Sequence, residues 1–271
     1  MSNQNQSLTL ENHLHLDFGE TLKEDVRKGL SAKQKRLPSK YFYDEEGSKL
    51  FEDICQTPEY YVTRTELNLL ESIAKEVMQD FQQGDLVELG SGAHWKIMRL
   101  LQVTEASQRE QLRYLPVDVS EEAIRISSSA LKEQFPDLKI HGMVGDFTRR
   151  QAPFKSEDPV LMILFGSSIG NFEFDEASQF LSQVTEGLKT EDRFLLSVDR
   201  VKPVSILNAA YNDSAGKTAA FNKNVLTVVN RHLDGDFCLD EFSHKAFFNE
   251  EEERVEMHLV AEQTIRARVN Q

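Results

Sequence analysis

The chain has 271 residues, 39% of them hydrophobic, which is enough for one large domain or for a core domain with a smaller one attached. Its formal charge of -14, from 45 acidic and 31 basic residues, argues against a nucleic-acid partner, because phosphate binding requires clustered Lys and Arg. No window approaches the roughly 18 apolar residues of a membrane span, and the N-terminus lacks a signal-peptide pattern. We therefore expect a cytoplasmic protein that binds a small molecule, with neither a membrane nor a nucleic acid as partner.

The two cysteines, Cys55 and Cys238, are far apart and belong to no CxxC or Cys/His grouping. A disulfide framework and a zinc site both require such groupings. We therefore expect two reduced thiols and no metal site.

The first half of the chain begins with a polar segment and continues into a helix. Residues 1–16 are polar, and we expect them to be flexible. Between residues 65 and 81, apolar side chains recur at intervals of three and four, which predicts an amphipathic helix. These apolar residues are Leu67, Leu70, Ile73, Ala74, Val77, Met78 and Phe81.

Alternating strand and helix signals follow the predicted helix. Short apolar runs, typical of buried parallel strands, are separated by helical segments, one of which has Ser120 as its expected N-cap. The predicted strands cover residues 86–90, 114–118, 139–146, 160–166 and 194–199. The pattern predicts an α/β fold with a doubly wound parallel sheet.

After Asp199 the alternation stops. Residues 204–233 have a helical pattern, and residues 244–249 and 255–265 look like two strands joined by an exposed acidic turn. We expect three asparagines of the helical segment, Asn222, Asn224 and Asn230, to lie on its surface.

This break predicts a second, smaller lobe. The expected organisation is a flexible N-terminus at 1–16, a core at 62–200, and a smaller lobe formed by 17–61 and 201–271.

The residues that follow each predicted strand are candidates for ligand binding, because ligands of open parallel sheets bind at the carboxyl ends of the strands. After the first strand comes a glycine turn with Gly90. Asp118 follows the second strand and suits two ribose hydroxyls. Asp146 and Phe147 follow the third and suit an adenine ring, and the segment GSSIGNF follows the fourth.

A dinucleotide and S-adenosylmethionine both fit this arrangement. The dinucleotide fingerprint requires a third glycine, which is absent here, and Glu88 would repel a pyrophosphate but would tolerate a sulfonium. These features favour a methyltransferase and leave a nucleotide-dependent oxidoreductase as a weaker alternative.

Several ordered motifs resemble the histidine-specific, S-adenosylmethionine-dependent methyltransferases, a family that includes the Nα-methyltransferase of ergothioneine biosynthesis. The resemblance covers roughly residues 36–266. It rests on RLPSKYFYDEEGSKLFEDICQTPEYYVTRTE, LVELGSG, LPVDVSEEA, VGDF, LFGSSIGNF, AYNDSAGKTAAFNKNVLTVVNRHLDGDFCLDEFSH and VEMHL. It implies a Rossmann-like fold with a substrate-binding lobe, and methylation of the α-amino group of an amino acid, with L-histidine the expected substrate.

The resemblance also assigns roles to single residues. It implies S-adenosylmethionine contacts at Tyr43, Gly90, Lys96, Asp118, Asp146 and Phe147. It implies substrate contacts at Tyr60, Gly166, Asn171 and Tyr211. Tyr43 and Asn171 are the expected catalytic residues, since an amide such as that of Asn171 can accept a hydrogen bond from the substrate amine.

The sequence departs from the family pattern in two places. His94 and Trp95 stand where the family carries small or hydroxyl residues. The family's imidazole-binding segment and last two strands have no counterpart before Gln271. A five-stranded sheet would then expose an edge, and we expect the chain to be a truncated gene product, a fragment, or a subunit that a partner chain completes at this edge. An alternative follows, in which the chain is a catalytically incomplete family member that acts as a partner or regulatory subunit.

Overall fold

The computed structural model describes residues 8–13, 18–148 and 156–270, which contain nine α-helices and eight strands. The strands are β1 (Thr9–Asn12), β2 (Gly84–Leu89), β3 (Leu112–Asp118), β4 (Lys139–Val144), β5 (Val160–Leu164), β6 (Arg193–Leu196), β7 (Phe242–Asn249) and β8 (Arg254–Ala261). The helices are α1 (Phe18–Ser31), α2 (Glu45–Gln56), α3 (Val62–Asp80), α4 (Trp95–Leu101), α5 (Ala106–Arg109), α6 (Glu121–Gln134), α7 (Phe174–Gly187), α8 (Val204–Ala210) and α9 (Lys217–Leu233).

The chain forms two compact units. The first consists of Met1–Leu14 and Thr65–Asp199, and the second of His15–Arg64 and Arg200–Gln271. The boundaries expected from the sequence, at residues 62 and 200, lie within a few residues of this division.

The first unit contains a six-stranded sheet in the order β1-β4-β3-β2-β5-β6, with every neighbouring pair parallel. Side chains alternate between its two faces, so Leu86 and Ile163 pack with α3 and α4, while Val87 and Met162 pack with α7. Helices on both faces make this a doubly wound Rossmann-like sheet, and the predicted fold class is confirmed. The Ser120 hydroxyl accepts from the Ala123 N–H at the start of α6, so the expected N-cap is confirmed too.

The expectation of a flexible segment over residues 1–16 is wrong for Thr9–Asn12, which form β1. This strand pairs with β4, and the His13 N–H extends the pairing by donating to the Val144 carbonyl over 2.8 Å. Residues 1–7 and 14–16 of that prediction lie outside the described residues. The sheet therefore has six strands instead of the expected five.

The outer strands of this sheet are β1, which covers the edge of β4, and β6 on the opposite side. Within residues 8–13, 18–148 and 156–270, β6 pairs with β5 alone. A partner chain at this edge stays a prediction.

The second unit is organised around α9, whose buried apolar side chains pack with α1 and with the hairpin of β7 and β8. Residues 204–233 were expected to be helical throughout, but the helix is interrupted between α8 and α9. The Asp213 carboxylate causes α9 to begin afresh, because it accepts from the Lys217 and Thr218 N–H groups over 2.8 and 2.7 Å. The acidic turn after β7 is exposed, as predicted.

The asparagines of α9 do not lie on the surface as expected. Asn222 and Asn224 are 2% and 4% exposed, and Asn230 is half-buried. The Asn230 side chain both accepts from the Phe237 N–H and donates to the Phe237 carbonyl. These amides lie away from solvent because each bonds to main-chain or side-chain groups of other segments.

None of the helices within residues 8–13, 18–148 and 156–270 is long and apolar enough to cross a bilayer.

Candidate functional site

The glycine turn after β2 brings bare backbone against an aromatic ring. Gly90 has a φ of 67°, in the left-handed region that favours glycine. A Cβ at this position would lie 3.1 Å from the ring of Phe147. The ring of Phe147 therefore packs directly on the Gly90 backbone, and any side chain at residue 90 would displace it.

Asp118, at the end of β3, holds this turn from the neighbouring strand. Its Oδ2 accepts from the Gly92 N–H over 3.0 Å, and its Oδ1 accepts from the Ser120 N–H over 2.9 Å. Burial raises the pKa of the Asp118 carboxyl, and the backbone hydrogen bonds act in the opposite direction. A carboxylate oxygen that accepts one bond retains a second lone pair, so Asp118 can also accept from ligand hydroxyls.

Asp146 and Phe147 follow β4, the next strand of the sheet. The Asp146 Oδ1 accepts from the Thr148 N–H over 3.0 Å and from the Thr148 hydroxyl over 2.5 Å. The ring of Phe147 meets that of Phe180 edge-on at 6.1 Å between centroids. Both residues are half-buried, so part of each side chain stays accessible beside the glycine turn.

Lys96 and Gly166 lie side by side, although Lys96 belongs to α4, which follows β2, and Gly166 follows β5. Gly166 follows β5 with a φ of 76°, and a Cβ there would lie 2.9 Å from the Lys96 Nζ. The same ammonium forms an ion pair of 2.8 Å with Glu66, a residue of α3. The sequence analysis did not identify Glu66.

Asn171 is the remaining candidate in the first unit. It ends a 3-10 turn formed by Ser168–Asn171 and is exposed. The structure thus brings six predicted residues to the carboxyl ends of four adjacent strands, with Asn171 one short turn beyond β5. These are Gly90, Lys96, Asp118, Asp146, Phe147 and Gly166.

His94 and Trp95 lie at the start of α4 and are half-buried. The His94 carbonyl accepts from the Met98 N–H over 3.0 Å, and Trp95 is the first residue of the helix. Both residues therefore take part in beginning α4.

Glu88 does not act as the sequence analysis assumed. It is 1% exposed, and its Oε2 accepts from the Tyr114 hydroxyl over 2.5 Å. Burial raises the pKa of its carboxyl to about 8, so it is mostly protonated at neutral pH. A buried and protonated Glu88 does not repel a pyrophosphate, so the reason given from the sequence for excluding a dinucleotide is wrong.

The three tyrosine candidates belong to the second unit, where two phenylalanines connect them. Tyr43 lies edge-on to both Phe51 and Phe221, with centroids 5.6 and 5.4 Å apart. Tyr60 is edge-on to Phe51 at 6.2 Å and to Tyr211 at 5.9 Å. One aromatic cluster therefore contains Tyr43, Tyr60 and Tyr211.

Buried amides fix the main chain beside Tyr43. The Asn224 Nδ2 donates to the Asp44 Oδ1 over 2.7 Å and to the Phe42 carbonyl over 3.4 Å. Asp44 also accepts from the Gly47 N–H and caps α2. The residues on both sides of Tyr43 are thus held by a single side chain of α9.

A histidine holds the main chain of Tyr211 in a similar way. The His244 Nε2 lies 2.9 Å from the Tyr211 carbonyl, so this nitrogen donates. The other ring nitrogen accepts from the Asn222 amide over 3.0 Å, since that amide also donates to the His258 carbonyl. Asn222, Asn224 and His244 are therefore support residues that the sequence analysis missed.

The residues at the strand ends fit S-adenosylmethionine. The turn at Gly90 offers bare backbone for close approach, Asp118 offers carboxylate oxygens for a ribose, and Phe147 offers a half-buried ring beside Asp146 for an adenine. The Lys96 ammonium adds a cation at the same edge of the sheet, suited to a carboxylate.

Comparison with known proteins gives one consistent result. Residues 22–271 match the family described as "Histidine-specific methyltransferase, SAM-dependent". The chain is 41% identical to the histidine N-alpha-methyltransferase of Mycolicibacterium smegmatis and 38% identical to that of Mycobacterium tuberculosis. Each alignment covers 97% of this chain and 82% of the relative. It is also 30% identical to ergothioneine biosynthesis protein 1 of Schizosaccharomyces pombe, over 82% of this chain and 30% of that protein.

These matches extend over both units and include every motif on which the resemblance rested. They do not favour the oxidoreductase alternative. The chain is an enzyme whose cofactor is S-adenosylmethionine, and it belongs to the family of histidine-specific, S-adenosylmethionine-dependent methyltransferases.

Proposed function

We propose that this enzyme methylates the α-amino nitrogen of L-histidine, and that successive transfers give the trimethylated betaine, hercynine. The observation that carries the proposal is the 41% identity, over 97% of the chain, with a histidine N-alpha-methyltransferase. Relatives named for ergothioneine biosynthesis support a role in that pathway. A cytoplasmic location remains a prediction from the sequence.

In this proposal the strand ends of the first unit bind the cofactor. Asp118 accepts from the ribose hydroxyls, and its bonds to the Gly92 and Ser120 N–H groups fix its orientation in advance. Phe147, seated on Gly90, provides an apolar face for the adenine, beside the Asp146 carboxylate. Lys96 supplies a positive charge for the carboxylate of the cofactor's amino-acid end.

Substrate binding is proposed for the tyrosines of the second unit and for the segment after β5. Tyr60 and Tyr211 can donate from their hydroxyls to the substrate carboxylate without adding a charge. Asn171 can accept from the substrate amine through its side-chain oxygen, and Gly166 offers main-chain groups. Tyr43 is proposed as a further cofactor contact.

The chemistry makes positioning the main task of these residues. S-adenosylmethionine supplies an electrophilic methyl group, and the amine must offer its lone pair in line with that group. Oriented reactants of this kind gain most of their rate from positioning, so the chain needs no nucleophile of its own. A hydrogen bond from the amine to Asn171 keeps one N–H engaged and leaves the lone pair available.

The proposal is tested by incubating the purified chain with S-adenosylmethionine and each amino acid, and by reading mass gains of one, two or three methyl groups. We expect gains on L-histidine and none with Asp118→Ala, because alanine removes the acceptor of the Gly92 N–H and the carboxylate proposed for the ribose. Cofactor binding without methylation of histidine would contradict the proposal and favour the catalytically incomplete alternative. Methylation of another amino acid in preference would correct the substrate.

A further inference from the structure

Glu66 joins the proposed cofactor and substrate contacts of the first unit. It lies in the part of α3 that belongs to this unit and is 8% exposed. Its Oε1 accepts from the Gly166 N–H over 2.7 Å and from the Ser197 hydroxyl over 2.5 Å. Its Oε2 forms the 2.8 Å ion pair with Lys96. One carboxylate thus binds groups that follow β2, β5 and β6.

Burial of this carboxylate requires those three partners. A charged group removed from water is stable only when it is paired and hydrogen-bonded, and here an ammonium, a main-chain N–H and a hydroxyl provide the pairing. Lys96 depends on Glu66 in the same way, because its ammonium is largely buried and Glu66 is its ion-pair partner. The position of Lys96 above Gly166 therefore depends on Glu66.

The turn after β5 needs such a fixed support. Gly166 and Ser167 have φ values of 76° and 56°, and the second of these is unfavourable for a residue with a side chain. The Ser197 hydroxyl donates to Glu66 and accepts from the Ser167 N–H over 3.2 Å. Both successive N–H groups of the turn are thereby held, one by Glu66 directly and the other through Ser197.

From this geometry we infer that Glu66 is a positioning residue. It sets the Lys96 ammonium for the cofactor and the turn of Gly166 and Ser167 for the substrate. The inference rests on the proposed function, both for Lys96 at the cofactor and for Gly166 at the substrate. Two paths leave Glu66, one electrostatic through Lys96 and one hydrogen-bonded through Gly166 and Ser197, and they can be tested separately.

The electrostatic path is tested by calorimetric binding of S-adenosylhomocysteine, the demethylated cofactor. Glu66→Gln keeps an oxygen for Gly166 and Ser197 but removes the charge opposite Lys96. We expect about tenfold weaker binding, a similar loss for Lys96→Met, and no further loss in the double variant, because residues that act as one unit are not additive. Glu76→Gln, an exposed change on the same helix, is the matched control and should bind as the unmodified chain does.

The direction in which the affinity for S-adenosylhomocysteine changes shows whether Glu66 positions Lys96 or only neutralises its charge. If Glu66 only cancelled the charge of Lys96, its removal would leave a freer cation and tighter binding. Binding of Glu66→Gln that is unchanged or tighter, or losses that add fully in the double variant, would overturn the inference.

The hydrogen-bonded path is tested with Ser197→Ala, which leaves the ion pair of Glu66 and Lys96 in place. We expect the KM for histidine to rise about three- to tenfold while the Kd for S-adenosylhomocysteine stays within about twofold, since one hydrogen bond contributes about 1 kcal/mol. This variant also serves if Glu66→Gln does not fold. An unchanged KM, or a loss of cofactor binding equal to the rise in KM, would contradict a separate path.

Failure of the role inferred for Glu66 can be distinguished from failure of the proposed function. Nonadditive losses of S-adenosylhomocysteine binding, with no methylation of histidine by the unmodified chain, would support the role of Glu66 at the cofactor and overturn the proposed substrate. Methylation of histidine, with losses of S-adenosylhomocysteine binding that are additive or absent, would support the proposed substrate and overturn the role of Glu66.

Discussion

The two units hold their candidate residues by different means. In the first unit, carboxylates accept from main-chain N–H groups of the turns that follow strands, as Asp118 does from Gly92 and Glu66, a residue of α3, does from Gly166. In the second unit, the buried Asn224 of α9 and the half-buried His244 of β7 bond to the main chain at aromatic candidates, beside Tyr43 and at Tyr211.

This difference determines how each region can be altered. A turn with a left-handed glycine tolerates no side chain, so the first unit is sensitive to small additions. A buried amide satisfies groups that would otherwise be unpaired, so the second unit is sensitive to deletions. The four predictions below test this contrast, beginning with the largest expected effect.

The largest effect is expected from Gly90→Ala in the first unit. Alanine at a φ of 67° is strained by about 1–2 kcal/mol, and its Cβ would lie 3.1 Å from the ring of Phe147. We expect S-adenosylhomocysteine to bind roughly 10- to 100-fold more weakly, measured by calorimetry. Gly187→Ala is the control, because a Cβ there meets no atom of the described residues within 4 Å. Equal binding of S-adenosylhomocysteine by the two variants would show that the turn does tolerate a side chain at residue 90.

In the second unit, Asn224→Ala should destabilise the fold. The change leaves the Asp44 carboxylate and the Phe42 carbonyl without their shared donor, which costs about 2 kcal/mol of unfolding free energy. Urea unfolding monitors the effect. Asn68→Ala, at an exposed position of α3, should change the unfolding free energy by less than about 0.5 kcal/mol. A loss for Asn224→Ala as small as that of the control would mean that the amide does not support Tyr43.

Glu88→Gln should change the pH dependence of stability. The folded-state pKa of about 8 lies above the ordinary 4.5, so the stabilisation is complete below about pH 4.5 and is lost as the pH rises through 8. Relative to Glu88→Gln, the unmodified chain should lose up to about 1.4 kcal/mol of unfolding free energy per pH unit in this window.

Urea unfolding between pH 5 and pH 9 measures this difference. Glutamine keeps an acceptor for the Tyr114 hydroxyl, so the hydrogen bond is retained while the titrating group is removed. Glu71→Gln, at an exposed position of α3, serves as the control and should follow the unmodified chain at every pH. Parallel curves for Glu88→Gln and the unmodified chain would show that Glu88 is charged in the folded state.

The smallest effect is expected from Asn230→Ala. Asn230 lies near the C-terminal end of α9, and its side chain forms two hydrogen bonds with Phe237 that alanine removes. We expect a loss of about 1 kcal/mol in unfolding free energy with no change in S-adenosylhomocysteine binding. A weaker affinity for the ligand would show that the support of α9 is not local, and the contrast between the units would then need revision.

The core of the first unit could be predicted from the sequence because its strands are continuous apolar runs. Those runs correspond to β2 through β6, and the residues after them lie at one edge of the sheet as expected. The carboxyl ends of parallel strands lie at the same edge of a sheet. The positions of Gly90, Asp118 and Asp146 therefore follow from strand order alone.

Elements fixed by long-range pairing were missed. The strand TLEN is short and mostly polar, and only its pairing with β4 makes it a strand. Asn222 and Asn224 were assigned to the surface on residue type, whereas their burial depends on groups supplied by distant segments. Hydrogen-bond partners of this kind leave no periodic signal.

Glu66 did have a signal that could have been used. It precedes the buried residues Leu70 and Ala74 by four and eight positions, so it lies on the apolar stripe of α3. An acidic residue on a buried stripe requires a partner, and the sequence analysis considered only the apolar residues of that stripe.

The N-terminal strand has a consequence for the order of folding. Thr9 pairs with His141, and Asn12 with Val144, so the contacts of β1 join segments that are far apart in the sequence. Closing so long a loop costs entropy before any contact compensates for it, and such topologies fold slowly. During synthesis β1 leaves the ribosome first, yet it must wait for β4 before it can pair. Until β1 pairs, the outer edge of β4 is uncovered within this sheet.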